Sequence, residues 1–132
     1  MNRDILFKGK SINENVWVKG SLVKSIYNYY IIPIYDDSIS NPTFIPVIKE
    51  SICQFTGQTD ENDEKIFEND ILELVEGLTI EGRYKVIWDE RESKWSDIRD
   101  DDDCETDYNG FDFFNECKII GNYIDNPELF QN

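Results

Sequence analysis

Histidine does not occur in this 132-residue chain. Its absence removes Ser–His and Cys–His nucleophile pairs and every imidazole metal ligand. Cysteine is scarce. Cys53, Cys104 and Cys117 are odd in number and lack the paired spacing of a metal site, so they read as reduced cytosolic thiols. Seven scattered glycines form no phosphate-cradling loop, and four prolines are too few for a low-complexity linker. No apolar run approaches the ~20 residues that span a bilayer. The N-terminal stretch, with Arg3 and Asp4, carries neither an apolar signal core nor a small-residue cleavage site. Positive charge is also in short supply, with 13 Lys and Arg against 28 Asp and Glu and a net charge of -15.

That charge is unevenly spread. Residues 1–59 hold six bases against five acids, a net of +1, and residues 60–132 hold seven against twenty-three, a net of -16. Phosphate binding needs clustered Lys and Arg, so the composition argues against direct nucleic-acid contact. Hydrophobic residues make up 39% and aromatics 14%, a folded composition sufficient for one core.

Alternating apolar and polar residues predict a mainly β chain with short helices. Strands are expected at 5–8, 16–22, 29–35, 43–48, 70–76, 82–89, 94–98 and 117–124. Pro33 cannot donate to a ladder and is expected at an edge or at a strand end, where the edge is open to a second chain. Residues 99–110 are nearly all acidic or turn-forming and read as a surface loop. Phe111 to Asn115 is expected to make one helical turn. Asn126-Pro127-Glu128 reads as an N-cap followed by proline, which predicts a short terminal helix.

The stretch from Cys53 to Leu74 organises the rest. Gln54-Phe55-Thr56-Gly57 is a short strand ending on glycine. A polar loop with Asp60, Glu61, Asn62, Asp63 and Glu64 follows. Ile66 and Phe67 return to a core, Glu68-Asn69-Asp70 turns again, and Ile71 to Val75 starts a strand. This order of motifs resembles the signature of YopX-like proteins of phages and prophages. Gln54, Phe55, Thr56, Gly57, Asp60, Asn62, Ile66, Phe67, Glu68, Asp70 and Ile71 match it. Asp63 and Asn69 stand where the family usually has glycine, and both residue types tolerate left-handed backbone. Arg3 to Lys8, Trp17 to Leu22 and the closing Ile119 to Leu129 extend the resemblance over most of the chain. It implies one YopX-like domain over 1–132, with β subdomains at 1–52 and 53–132. The C-terminal part, with its run of turn, aliphatic strand, glycine loop and strand, resembles an SH3-like barrel or meander. The resemblance also implies a phage- or prophage-encoded protein in the bacterial cytoplasm, and homo-oligomers.

Three functional readings follow. The first is a non-catalytic homo-oligomeric assembly module, with Trp17, Tyr29, Tyr30 and Trp95 as candidate interaction aromatics and a protein partner. The second is an acidic inhibitor that mimics nucleic acid. Residues 89–116 hold twelve acids and three bases, and Asp100, Asp101, Asp102 and Asp103 form their densest run. The third is a carboxylate-based, metal-assisted hydrolase built on Asp60, Asp63, Glu64, Glu68 and Asp70. Against the third, turn chemistry accounts for Gly57, Asp60, Asn62, Asn69 and Asp70 without any catalytic role. The acidic run also lacks the alternating acids and turn glycine of a calcium loop. The expectation is therefore no enzyme, no cofactor, no metal and no membrane contact.

Overall fold

A computed structural model describes residues 4–35, 40–99 and 114–130. The chain divides into two compact units, Met1–Phe55 and Thr56–Asn132. The acidic run at 100–103 lies outside the described residues.

The first unit holds β1 (Phe7–Lys10), β2 (Trp17–Lys24), β3 (Tyr29–Pro33), β4 (Ile45–Val47) and the start of β5 (Cys53–Thr59). The strands are antiparallel in the order β4-β3-β2-β1-β5. Alternation sorts each strand onto two faces. One face forms a core of Val18, Ile31 and Val47, with Phe7, Leu22, Tyr29, Ile45 and Ile52 against it. The other carries Lys8, Lys10, Trp17 and Lys19, because Lys8 stands opposite Lys19 and Lys10 opposite Trp17.

This sheet curls until Ser11, just past β1, bridges Val47 of β4. Ile12 N donates to Pro46 O at 3.0 Å and Ile48 N to Lys10 O at 2.8 Å. Two glycines permit the close approach. A Cβ on Gly9 would lie 3.1 Å from Val47 Cβ, and one on Gly20 would lie 1.9 Å from Ile32 O. Ser51 ties the return, accepting from Lys10 N at 2.7 Å and donating to Ile48 O at 2.6 Å. Pro33 ends β3, but β3 lies between β2 and β4. Pro33 thus sits at a strand end, one of the two places expected for it, and β4 pairs with β3 over residues 29–31, short of Pro33.

The second unit contains the end of β5, β6 (Lys65–Phe67), β7 (Asp70–Glu76), β8 (Thr79–Asp89), β9 (Lys94–Arg99) and β10 (Lys118–Asn122). The last four make an antiparallel sheet in the order β10-β7-β8-β9. It is a meander with β10 added beside β7, and among the described residues no barrel closes. Its core is Ile66, Leu72, Tyr84, Val86, Trp95, Phe114 and Cys117. Burying each of these large side chains contributes about 1.5–3 kcal/mol. Phe114 begins a 3-10 turn, Phe114–Glu116, at the end of the stretch expected to be helical.

The terminal segment departs from expectation. Pro127–Leu129 is a single 3-10 turn, and Asn126 does not cap it through its side chain. Asn126 Oδ1 instead accepts from Asn122 N at 3.3 Å, turning back toward the strand it follows. Phe130 is buried with its ring edge-on to Tyr123 at 6.1 Å, and Lys85 Nζ lies 4.1 Å from the Tyr123 centroid.

Candidate functional site

The signature segment builds two buried carboxylates, and both are committed to holding backbone. Asp60 is 4% exposed. Its Oδ1 accepts from Asn62 N at 2.8 Å and Glu64 N at 2.9 Å, and its Oδ2 accepts from Ile119 N at 3.1 Å. Burial pushes the Asp60 carboxyl up, but the three N–H donors, from Ile119, Glu64 and Asn62, outweigh it and hold the group below the usual carboxylate value. Asp70 accepts from Phe67 N at 2.8 Å through Oδ2 and from Asn122 Nδ2 at 3.2 Å through Oδ1.

The turns between them use left-handed backbone. Gly57 has φ 89°, and Asp63 and Asn69, at the two positions usually glycine in the family signature, have φ 61° and 70°. Asn69 N donates to Val86 O and Tyr123 N to Asn69 O, so this turn stitches β8 to the end of β10. Thr56 Oγ1 donates to Ile66 O at 2.8 Å and accepts from Gln58 N at 3.2 Å. Asp63 and Glu64 are exposed. The described residues include no group of three or more His, Cys, Asp or Glu able to hold a metal ion. General acid–base work needs a carboxyl poised near operating pH, whereas Asp60 is held ionised by fixed donors.

The interaction aromatics are dispersed. Trp17 is half-buried under two ammonium groups, with Lys8 Nζ 4.6 Å and Lys10 Nζ 5.5 Å from its centroid. Tyr29 packs on the first unit's core beneath Lys24 and Lys49. Tyr30 meets Phe44 edge-on at 6.3 Å. Trp95 corrects the expectation of a surface role, for it is 9% exposed and belongs to the second unit's core. Its cross-strand neighbour Trp88, 5.0 Å away, is the exposed member of the pair. The two side chains share one face of the β8–β9 ladder, and the residues packed over that face decide which of them is covered. Asp100 to Asp103 lie outside the described residues.

The concave feature of the first unit went unnoticed in the sequence. An open groove of about 410 Å³ is lined by Val16, Trp17, Lys19, Ile34, Tyr35 and Phe44, among others. Its one sequence signal is the run of apolar residues on both sides of the Asp36–Pro42 loop, at Ile34-Tyr35 and Phe44-Ile45. A second missed feature is Leu78, an aliphatic residue at a hairpin tip where polar turn formers are usual. It is fully exposed.

No curated protein matches the chain. The family model described as YopX protein matches residues 6–131. The match spans the opening strands, both turns of the central signature and the closing segment, and the chain belongs to the YopX protein family.

Proposed function

We propose that this YopX family protein is a non-catalytic binding and assembly module that forms homo-oligomers. The observation that carries this reading is the exposed apolar surface around the first unit's groove. Val16, Ile34, Tyr35 and Phe44 all present large hydrophobic side chains to solvent there. Contiguous exposed apolar surface of this kind marks interaction sites. The signature carboxylates support a non-catalytic role, since Asp60 and Asp70 spend their oxygens on backbone and Asn122. The family resemblance supports a phage- or prophage-encoded accessory protein in the bacterial cytoplasm. Among the described residues no helix is long and apolar enough to cross a membrane.

Light-scattering mass over a concentration series tests the proposal. A mass above that of one chain, rising with concentration, is expected. A single-chain mass throughout would reject assembly.

One observation favours a second reading. The net of -16 over residues 60–132 suits an acidic inhibitor that occupies a DNA-binding protein's cleft in place of nucleic acid. Salt-sensitive capture of a basic DNA-binding protein by monomeric chain would favour it over assembly.

A further inference from the structure

The second unit ends its longest hairpin in an unusual way. Glu76 pairs with Thr79, leaving Gly77 and Leu78 as a two-residue loop. Gly77 takes φ 63°, as the first central position of a type II′ turn requires. The second position holds Leu78, at 103% exposure, and the cross-strand pair just below it, Val75 and Ile80, is exposed as well. Three aliphatic side chains thus stand in water at one tip, flanked in sequence by Glu76 and Glu81. Nothing in a hairpin's own folding requires this, because polar turn residues fit the same backbone.

The groove of the first unit has the opposite character. Trp17, Ile34, Tyr35 and Phe44 supply aromatic and aliphatic walls, and Lys19 stands among them. Lys8 faces Lys19 across the β1–β2 ladder, and Lys10 lies two residues along, so the flank of the groove is basic. Among the described residues Glu14 is the acidic one in the lining. A volume of about 410 Å³ falls in the range of ~300–1,000 Å³ that receives compact ligands.

We propose that the Val75–Ile80 hairpin tip of one copy seats in the Trp17–Ile34–Tyr35–Phe44 groove of a second copy, with Glu76 and Glu81 against Lys19. The inference rests on the oligomeric reading above and specifies its contact. Charge selects the occupant. Second units, each carrying the whole of the -16 over residues 60–132, repel one another, whereas the near-neutral, lysine-bearing first unit of another copy does not. Such a contact joins two different surfaces. Exchanged reciprocally it closes a two-fold dimer, and passed head to tail it makes a ring or an open filament.

The test is the mass, by analytical ultracentrifugation, of the full chain, of Leu78→Asp, of Phe44→Asp, and of the two variants mixed in equal amounts. Far-UV circular dichroism checks that each variant is folded, and Lys19→Glu replaces Phe44→Asp if the latter is not. The expected result is a multimer for the natural chain and a single-chain mass for each variant. The mixture should give a two-chain species and nothing larger, because one intact groove meets one intact hairpin. Either variant assembling like the natural chain would overturn the hairpin–groove contact and leave the oligomeric reading standing, and so would a mixture that stays single-chain. A natural chain that is single-chain at every concentration would overturn both.

Discussion

Asp60 Oδ2 accepts a hydrogen bond from Ile119 N at 3.1 Å, across 59 residues of chain. The same carboxylate holds Asn62 and Glu64 through Oδ1, so one side chain shapes its own loop and anchors the strand that closes the second sheet. Three backbone donors around one buried acid account for an acidic residue at this position.

Replacing Asp60 tests that anchor. Asp60→Ala strands three N–H groups and is expected to cost about 3 kcal/mol, read from the urea midpoint. Asp60→Asn keeps an acceptor at Oδ1 but sets an amide N–H against Ile119 N, for a smaller loss of about 1–2 kcal/mol. The pH dependence has a definite sign. The Asp60 carboxyl is lowered in the fold, so its contribution is present above the unfolded carboxylate value and is lost as pH falls through the folded one. Acid titration of stability should therefore be shallower in Asp60→Asn than in the natural chain, and equal slopes would contradict the assignment.

Cys117 makes the opposite prediction at high pH. Burial, reinforced by the negative charges of Asp97, Glu116, Glu61 and Asp60, pushes its thiol up to about 12. A thiol held protonated is a poor nucleophile. Mass-spectrometric mapping after alkylation of the folded chain at pH 8 should find Cys117 and the equally buried Cys53 unlabelled, and both labelled in urea. Because the folded value is raised, the stability tied to the protonated thiol is intact below the ordinary value of 9.0 and declines as pH rises toward about 12. Cys117→Ala should flatten that alkaline decline.

The two tryptophans of the β8–β9 ladder should behave unequally. Trp95→Ala removes a core side chain and is expected to cost about 3–5 kcal/mol. Trp88, 42% exposed, should cost about 1 kcal/mol, chiefly the aromatic pair. Thermal melts of the two variants check the order, and a larger loss for Trp88→Ala would contradict the placement of Trp95 in the core.

Gly20 supplies a prediction from space alone. Its missing Cβ would fall 1.9 Å from a backbone oxygen, where no rotamer relieves the clash. Gly20→Ala should cost more than about 3 kcal/mol, beyond ordinary overpacking, or leave the first unit unfolded. Gly57 has open space around it, so Gly57→Ala should cost only the left-handed backbone penalty of about 1–2 kcal/mol. Amide exchange in the first unit separates the two outcomes.

What depends on neighbours along the chain was legible before any fold was known. Period-two alternation marked the strands, and Asp and Asn marked the turns now found at φ 61° and 70°. Ordered motifs identified the family, and the segregation of charge between the two halves could be counted directly. Which strand lies beside which came from the three-dimensional fold. It placed β4 beside residues 29–31 of β3, which makes β3 an interior strand there. It covered Trp95 and left its same-face partner Trp88 exposed, and brought Ile119 N to Asp60. It also turned the Asn126 side chain back to Asn122 instead of onto a helix. The reason is physical. Alternation and turn chemistry are local energies of a few residues, whereas strand order, sheet curl and the covered face are set by contacts between residues tens of positions apart, which no window along the chain contains.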